Sequence, residues 1–281
     1  MDSSTALHYR LTASSLGAGT PGGQSVVYLA SLGRPVRDLD VLCEAGRAVG
    51  WSSVAVELPG VPPSPPPPAG SDLHAIAAGV VDVIETVVAG GSGAAGDPGG
   101  GSGGFEAVGG SRQVVIVGHA FGNRVARCVA ADRPDLIRGL VLLGCGGLVA
   151  GDSQARAALQ RCFDPSASAE SHLADVATAF FAPGNDPSAW ADGWYQEAAA
   201  AQAAAVVATP TQDWWLPPAP IPVLAVVGAE DRIAPPANAA SLVESLGERG
   251  RLVVVPRAGH ALLPEQGAQV AAAFVEFLAG V

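Results

Sequence analysis

The stretch Val114-Val115-Ile116-Val117-Gly118-His119-Ala120-Phe121-Gly122 constrains this chain more than any other. Four consecutive β-branched residues favour an extended and fully buried strand. The strand runs into a tight turn flanked by two glycines, and residues 121–132 read at once as a helix.

The same alternation recurs along the chain. Residues 6–16 alternate as a half-exposed strand would, and apolar strands are expected at 25–29, 52–58, 140–144, 222–228 and 252–256. Amphipathic helices are expected at 36–49, 72–89, 236–246 and 264–278. This order predicts an α/β fold with a mostly parallel, doubly wound sheet and helices on both faces. Between 151 and 215 the strand signal disappears, and helical runs at 153–161, 169–182 and 190–207 replace it. That segment holds four of the five tryptophans: Trp190, Trp194, Trp214 and Trp215. Residues 90–110 are mostly Gly, Ser and Ala and bury too little apolar surface to offset ordering, so a flexible loop is expected there. The organisation expected is a core of residues 1–150 and 216–281 with an insertion at 151–215.

Composition narrows the partners. The net charge of −11 argues against a nucleic-acid partner, because few cations are present to release counterions from phosphates. All 15 basic residues are arginine, which excludes a lysine base or Schiff-base chemistry. No uninterrupted apolar run of 18 residues occurs, so no membrane span is expected, and the first residues lack a secretory leader pattern. Cys43, Cys128, Cys145 and Cys162 have irregular spacing in apolar surroundings, as buried free thiols rather than a disulfide framework or metal site. A cytoplasmic setting is the resulting expectation.

Gly118-His119-Ala120-Phe121-Gly122 resembles the Gly-x-Ser-x-Gly nucleophile elbow of the α/β-hydrolase family, with alanine in the serine position. The resemblance extends to Asp231, in Gly-x-x-Asp after one strand, and to His260, in Ala-Gly-His after the next. Ala120, Asp231 and His260 follow the family's chain order of nucleophile, acid and base. It implies an α/β-hydrolase fold with a helical cap at 151–215, and an oxyanion hole formed by the backbone N–H groups of Phe121 and Leu32. It also implies a small, largely apolar ligand between cap and sheet, with the four tryptophans either lining that pocket or forming the cap's own core. No metal or organic cofactor is implied. Glu230 is a rival acid beside Asp231, His119 reads as structural, and Cys145 as a substitute nucleophile lacks an evident base.

Alanine at 120 carries no oxygen and forms no acyl-enzyme. Two further departures accompany it: Ala30-Ser31 stands where relatives carry His-Gly, and Glu57-Leu58-Pro59-Gly60 where they often carry Asp-Leu/Arg-x-Gly. Three changes around one site favour natural divergence over an engineered Ser-to-Ala knockout of an esterase. The leading expectation is a His260–Asp231 general-base dyad that activates water against a carbonyl ligand, the missing hydroxyl leaving room for that water. The alternatives are a ligand-binding pseudoenzyme and, third, a cofactor-free base-catalysed oxygenase or C–C cleaving enzyme. The sequence sets no oligomeric state.

Overall fold

The computed structural model describes residues 6–14, 24–88, 113–164 and 166–281. The loop expected at 90–110 lies outside the described residues. Among the described residues seven strands form one sheet: β1 (Tyr9–Thr12), β2 (Ser25–Leu29), β3 (Ser52–Val56), β4 (Val114–His119), β5 (Ile137–Leu143), β6 (Val223–Gly228) and β7 (Gly250–Val255), in the order β1-β3-β2-β4-β5-β6-β7. Only β1 pairs antiparallel; the other five pairings are parallel.

The alternation of side chains explains both faces. In β4, Val114 and Ile116 enter one core cluster while Val115 and Val117 enter the other. In β5, Leu140 and Leu142 oppose Val141 and Leu143 in the same way. The first cluster is closed by α2 (Leu73–Val88), α3 (Phe121–Asp132) and α7 (Pro236–Leu246), through residues such as Ile76, Val125 and Leu242. The second is closed by α1 (Asp40–Ala48) and α8 (Leu262–Leu278), through Leu42, Val270 and Phe274. Strands buried on both faces read as unbroken apolar runs, as β4 and β6 do.

Three helices lie between β5 and β6: α4 (Ser153–Arg161), α5 (Ala169–Phe180) and α6 (Gln196–Ala208). Asp152 and Ser168 cap the first two, accepting from the N–H groups of Ala155 and Ser171. The helix expected at 190–207 is interrupted: a short 3-10 turn ends at Trp190, Gly193 takes φ +73°, and α6 starts only at Gln196. The expected helix at 36–49 likewise begins as a 3-10 turn, Val36–Leu39, before α1.

Candidate active site

The turn between β4 and α3 is set by two close backbone approaches. A Cβ on Gly118 would lie 2.5 Å from the backbone of Gly122, and one on Gly122 would lie 2.2 Å from the Leu29 carbonyl oxygen. Neither position accepts a side chain. Ala120, at the apex, takes φ 48° and ψ −101°, a conformation costly for an L-residue, and its N–H donates to the Leu143 carbonyl at 2.9 Å. Asn123, fully buried one turn on, donates to the same carbonyl at 2.9 Å.

The ends of β6 and β7 approach as closely. A Cβ on Gly228 would meet the Gly259 carbonyl oxygen at 2.2 Å. This seats Asp231 beside His260, whose Nδ1 donates to Asp231 Oδ2 at 2.8 Å. Asp231 Oδ1 accepts from the N–H groups of Ile233 and Ala234 at 2.9 and 2.7 Å, so the carboxylate is fully engaged. Gly144 leaves space for the imidazole, since a Cβ there would come within 3.0 Å of His260 Cε1. With Nδ1 committed to Asp231, Nε2 is the nitrogen free for chemistry.

The rivals are placed elsewhere. Glu230 is exposed. Cys145 is buried and donates to the Leu142 carbonyl, and burial pushes its thiol up to about 11, the reverse of an activated thiolate. His119 supports His260: its Nε2 donates to the His260 carbonyl at 2.9 Å. Burial, and then the neighbouring His260, hold the His119 imidazole neutral and lower its pKa to about 3.

A cavity of about 720 Å³ opens above the strand ends. Ala120, Phe121, His260, Ser31 and Leu32 all line it. The backbone N–H groups of Leu32 and Phe121 donate to no protein acceptor among the described residues, whereas the adjacent Gly33 N–H is taken. Its acceptor is Gln202 Oε1 on α6, at 2.8 Å, and Gln202 Nε2 donates in turn to the Pro59 carbonyl at 3.0 Å. The Gly33 carbonyl accepts from Tyr195 N–H at 2.9 Å. Helix α6 reaches these loops because only small groups intervene: a Cβ on Gly33 would meet Ala199 Cβ at 2.7 Å, and one on Gly60 would meet Ala198 Cβ at 2.9 Å.

Sequence reasoning missed these supports. Gln202 was legible in part as a lone polar residue among alanines. Arg34 carried no such signal; almost wholly buried, it joins Asp38 and Asp192 by ion pairs at 2.7 Å and also bonds the Gly193 carbonyl. Glu265 ties the His260 loop to the end of α5, accepting from Gly259 N–H at 2.8 Å and Ala182 N–H at 2.7 Å.

The four tryptophans, open between pocket lining and cap core, are not placed alike. Among the described residues Trp194 lines the cavity, alongside Phe163 and Phe180, and the other three do not. Trp190 is buried among Phe180, Phe181 and Trp194, with the Arg34 guanidinium 5.2 Å from its ring. Trp214 and Trp215 lie behind the cavity wall, where a Cβ on Gly147 would meet both rings at 3.0–3.1 Å. Their placement follows from Arg127, a fully buried guanidinium with no carboxylate partner among the described residues, held by backbone carbonyls, by Asn123 and by these two indole faces at 4.6 and 5.1 Å.

Residues 17–273 match the family model described as "Alpha/beta hydrolase family". Among solved structures, a putative non-heme bromoperoxidase from Mycobacterium tuberculosis superposes with a TM-score of 0.72 at 18% identity, covering 98% of this chain and 96% of that one. An esterase from Exiguobacterium antarcticum gives 0.70 at 17% identity, over 98% and 94%. A meta-cleavage product hydrolase from Pseudomonas fluorescens gives 0.69 at 17% identity, over 98% and 95%. No curated protein sequence matches the chain. At these identities the structural likeness establishes the fold alone.

Proposed function

Since the chain belongs to the α/β-hydrolase family, we propose that it acts on a small, largely apolar carbonyl ligand without a serine nucleophile. In this reading the sharp turn at Ala120 is a nucleophile elbow whose nucleophile position is vacated. His260 is the general base, oriented by Asp231, and it draws the proton from a water that attacks the carbonyl carbon directly. The N–H groups of Leu32 and Phe121 receive the developing oxyanion. Residues 151–215 act as a cap over the cavity. No metal or cofactor enters the scheme, no nucleic acid or membrane is a partner, and the setting is cytoplasmic. Among the described residues, no helix is long and apolar enough to cross a membrane.

The observation that carries the proposal is the buried 2.8 Å His260–Asp231 hydrogen bond, opening on a cavity shared with two uncommitted N–H groups. A second reading, a ligand-binding pseudoenzyme, is favoured by Ala120 itself, which has no oxygen to form a covalent intermediate.

Assays on short-chain activated esters with the parent, His260→Ala and Ala120→Ser separate the two. The expected result is a slow parent activity that disappears in His260→Ala. Ala120→Ser should raise the rate by less than about a hundredfold, because the altered Ala30-Ser31 loop need not fit an acyl tetrahedral intermediate. Equal inertness of parent and His260→Ala, with ligand still bound by both, would transfer the conclusion to the binding reading. A rise of several orders of magnitude in Ala120→Ser would instead indicate a knocked-out esterase.

A further inference from the structure

The cavity is apolar over most of its wall, through Leu159, Phe163, Phe180, Trp194 and Val206, yet its charged lining is of one sign. Arg124 and Arg156 line it, and among the described residues no aspartate or glutamate does. In a chain with 26 acidic and 15 basic residues this is the reverse of the average surface. Several arginines elsewhere have found carboxylates, among them Arg10 with Asp40, Arg34 with Asp38, Arg133 with Glu85 and Arg251 with Glu276, while Arg127 is held by carbonyls and Asn123 instead. Arg124 has neither an ion pair nor a hydrogen bond among the described residues, although it is only partly exposed. Its one cationic contact is with the Trp214 ring, 5.3 Å away.

The position of Arg124 is informative. It lies three residues beyond Phe121 on α3 and therefore on the same helix face as the residue that opens the helix beside Ala120. A Cβ on Gly146, a cavity-lining residue, would sit 3.6 Å from Arg124 Nη2, which locates the guanidinium against that wall. Burial lowers the Arg124 pKa, with no acidic neighbour to offset the cost. Its planar fork matches a carboxylate bidentately. Asp231, the carboxylate paired with His260, does not line the cavity and is engaged in three hydrogen bonds.

We infer that the cavity recognises a carboxylate on an otherwise apolar small molecule, with Arg124 as the specificity-determining residue and the more exposed Arg156 as an auxiliary charge. The inference rests on the proposed function, which places a carbonyl ligand in this cavity, and adds a second, anionic group that fixes the ligand's orientation relative to His260. Monoesters of dicarboxylic acids, and keto acids, with an apolar chain fit this description, since each keeps a free carboxylate beside the carbonyl.

Calorimetric titration of the parent with phenylacetate and hexanoate, against phenylacetamide and hexanamide, tests it. The carboxylates should bind at least about tenfold more tightly than their amides, the scale of a charge-assisted bidentate contact. Arg124→Gln should bring each pair to within about twofold through loss of carboxylate affinity, with amide affinity retained. Arg124→Lys keeps the charge but not the fork, and should reduce the preference severalfold; it carries the test if Arg124→Gln does not fold. Equal binding of acid and amide by the parent, or an unchanged preference in either variant, overturns the carboxylate assignment and leaves the general-base proposal standing. Binding of none of the four probes overturns the cavity reading together with it. Loss of ester turnover in His260→Ala while phenylacetate still binds shows that the two claims are separate.

Discussion

His260 and Asp231 hang from the ends of neighbouring strands, whereas Leu32 sits in a loop whose next residue is held by Gln202, 169 positions further along the chain. The first half of the site is fixed by the sheet: Gly228 against Gly259, Gly118 against Gly122, and backbone against backbone at distances no side chain tolerates. The second half is fixed from above by α6 through one amide side chain and two alanine contacts. His260 and Asp231 are thus as rigid as the core, while the Leu32 loop is only as well placed as the helices over it. In the proposed scheme, displacement of α6 alters oxyanion stabilisation before it alters the base.

The largest effect is expected where the two halves meet. Gly122 touches the end of β2, so a methyl there drives against the Leu29 carbonyl at 2.2 Å and the Ala30 carbonyl at 2.6 Å. Gly122→Ala should destabilise the protein by more than about 4 kcal/mol, since two packed main chains must separate. Gly33→Ala is the control on the other half: its Cβ meets the Ala199 methyl at 2.7 Å and backbone only at 3.1 Å or more, and about half that loss is expected despite the φ of +59°. Urea denaturation of both variants checks the contrast, and equal losses would show that α6 is held as firmly as the sheet.

A change of about 3 kcal/mol should separate the halves. Gln202→Leu leaves the buried Gly33 N–H and Pro59 carbonyl without partners, each costing about 1–3 kcal/mol. The loop should loosen while the strand ends do not. Amide exchange at Gly33 should accelerate, and the NMR resonance of the His260 Nδ1 proton should stay in place. A shifted His260 resonance would mean that the halves are coupled more tightly than their contacts indicate.

What was legible in the sequence follows the same division. The sheet-held half was readable because its determinants are local: the valine run of β4, the glycines bracketing Ala120, and Asp231 and His260 directly after strands. The half held from above by α6 was not, because its determinants are contacts between distant residues. Nothing near Arg34 announces Asp192, and nothing near Gly33 announces Gln202. The tryptophans stayed undecided for a related reason. An indole is the right size for a pocket wall, but Trp214 and Trp215 are occupied by a buried arginine whose position in α3 does not reveal that it lacks a carboxylate. Only Trp194 is left with a face toward the cavity.

His119 offers a subtler probe of the sheet-held half. Its pKa falls from 6.5 to about 3 in the folded protein, through burial and through the charges of His260 and Arg34. The unfolded chain then binds the extra proton first as the pH drops. The stability that depends on neutral His119 is fully present above pH 6.5 and is lost progressively toward pH 3. Between pH 8 and pH 5 the loss from this group is about 2 kcal/mol, at 1.4 kcal/mol per unit below 6.5. In His119→Gln, which keeps a donor for the His260 carbonyl without titrating, the decline should be smaller by that amount. Identical pH profiles by chemical denaturation would show that His119 is protonated inside the fold.

The smallest expected effect concerns strain at the apex of the turn. Ala120 holds φ 48° and ψ −101° with its N–H donated to Leu143, a geometry imposed by Gly118 and Gly122 on either side. Such backbone costs about 1–3 kcal/mol for a residue with a Cβ, and glycine adopts it freely. Against this, glycine adds about 0.4–1 kcal/mol of conformational freedom to the unfolded chain. Ala120→Gly should therefore stabilise the protein by a net amount on the order of 1 kcal/mol, read as a higher urea midpoint at an unchanged slope. The sign of that change decides the matter: a gain shows that the sheet-held half stores strain at the position facing His260, with no side-chain oxygen there to use it. A loss would mean that the methyl of Ala120 makes contacts worth more than the strain, and the turn would then be as relaxed as the strands it joins.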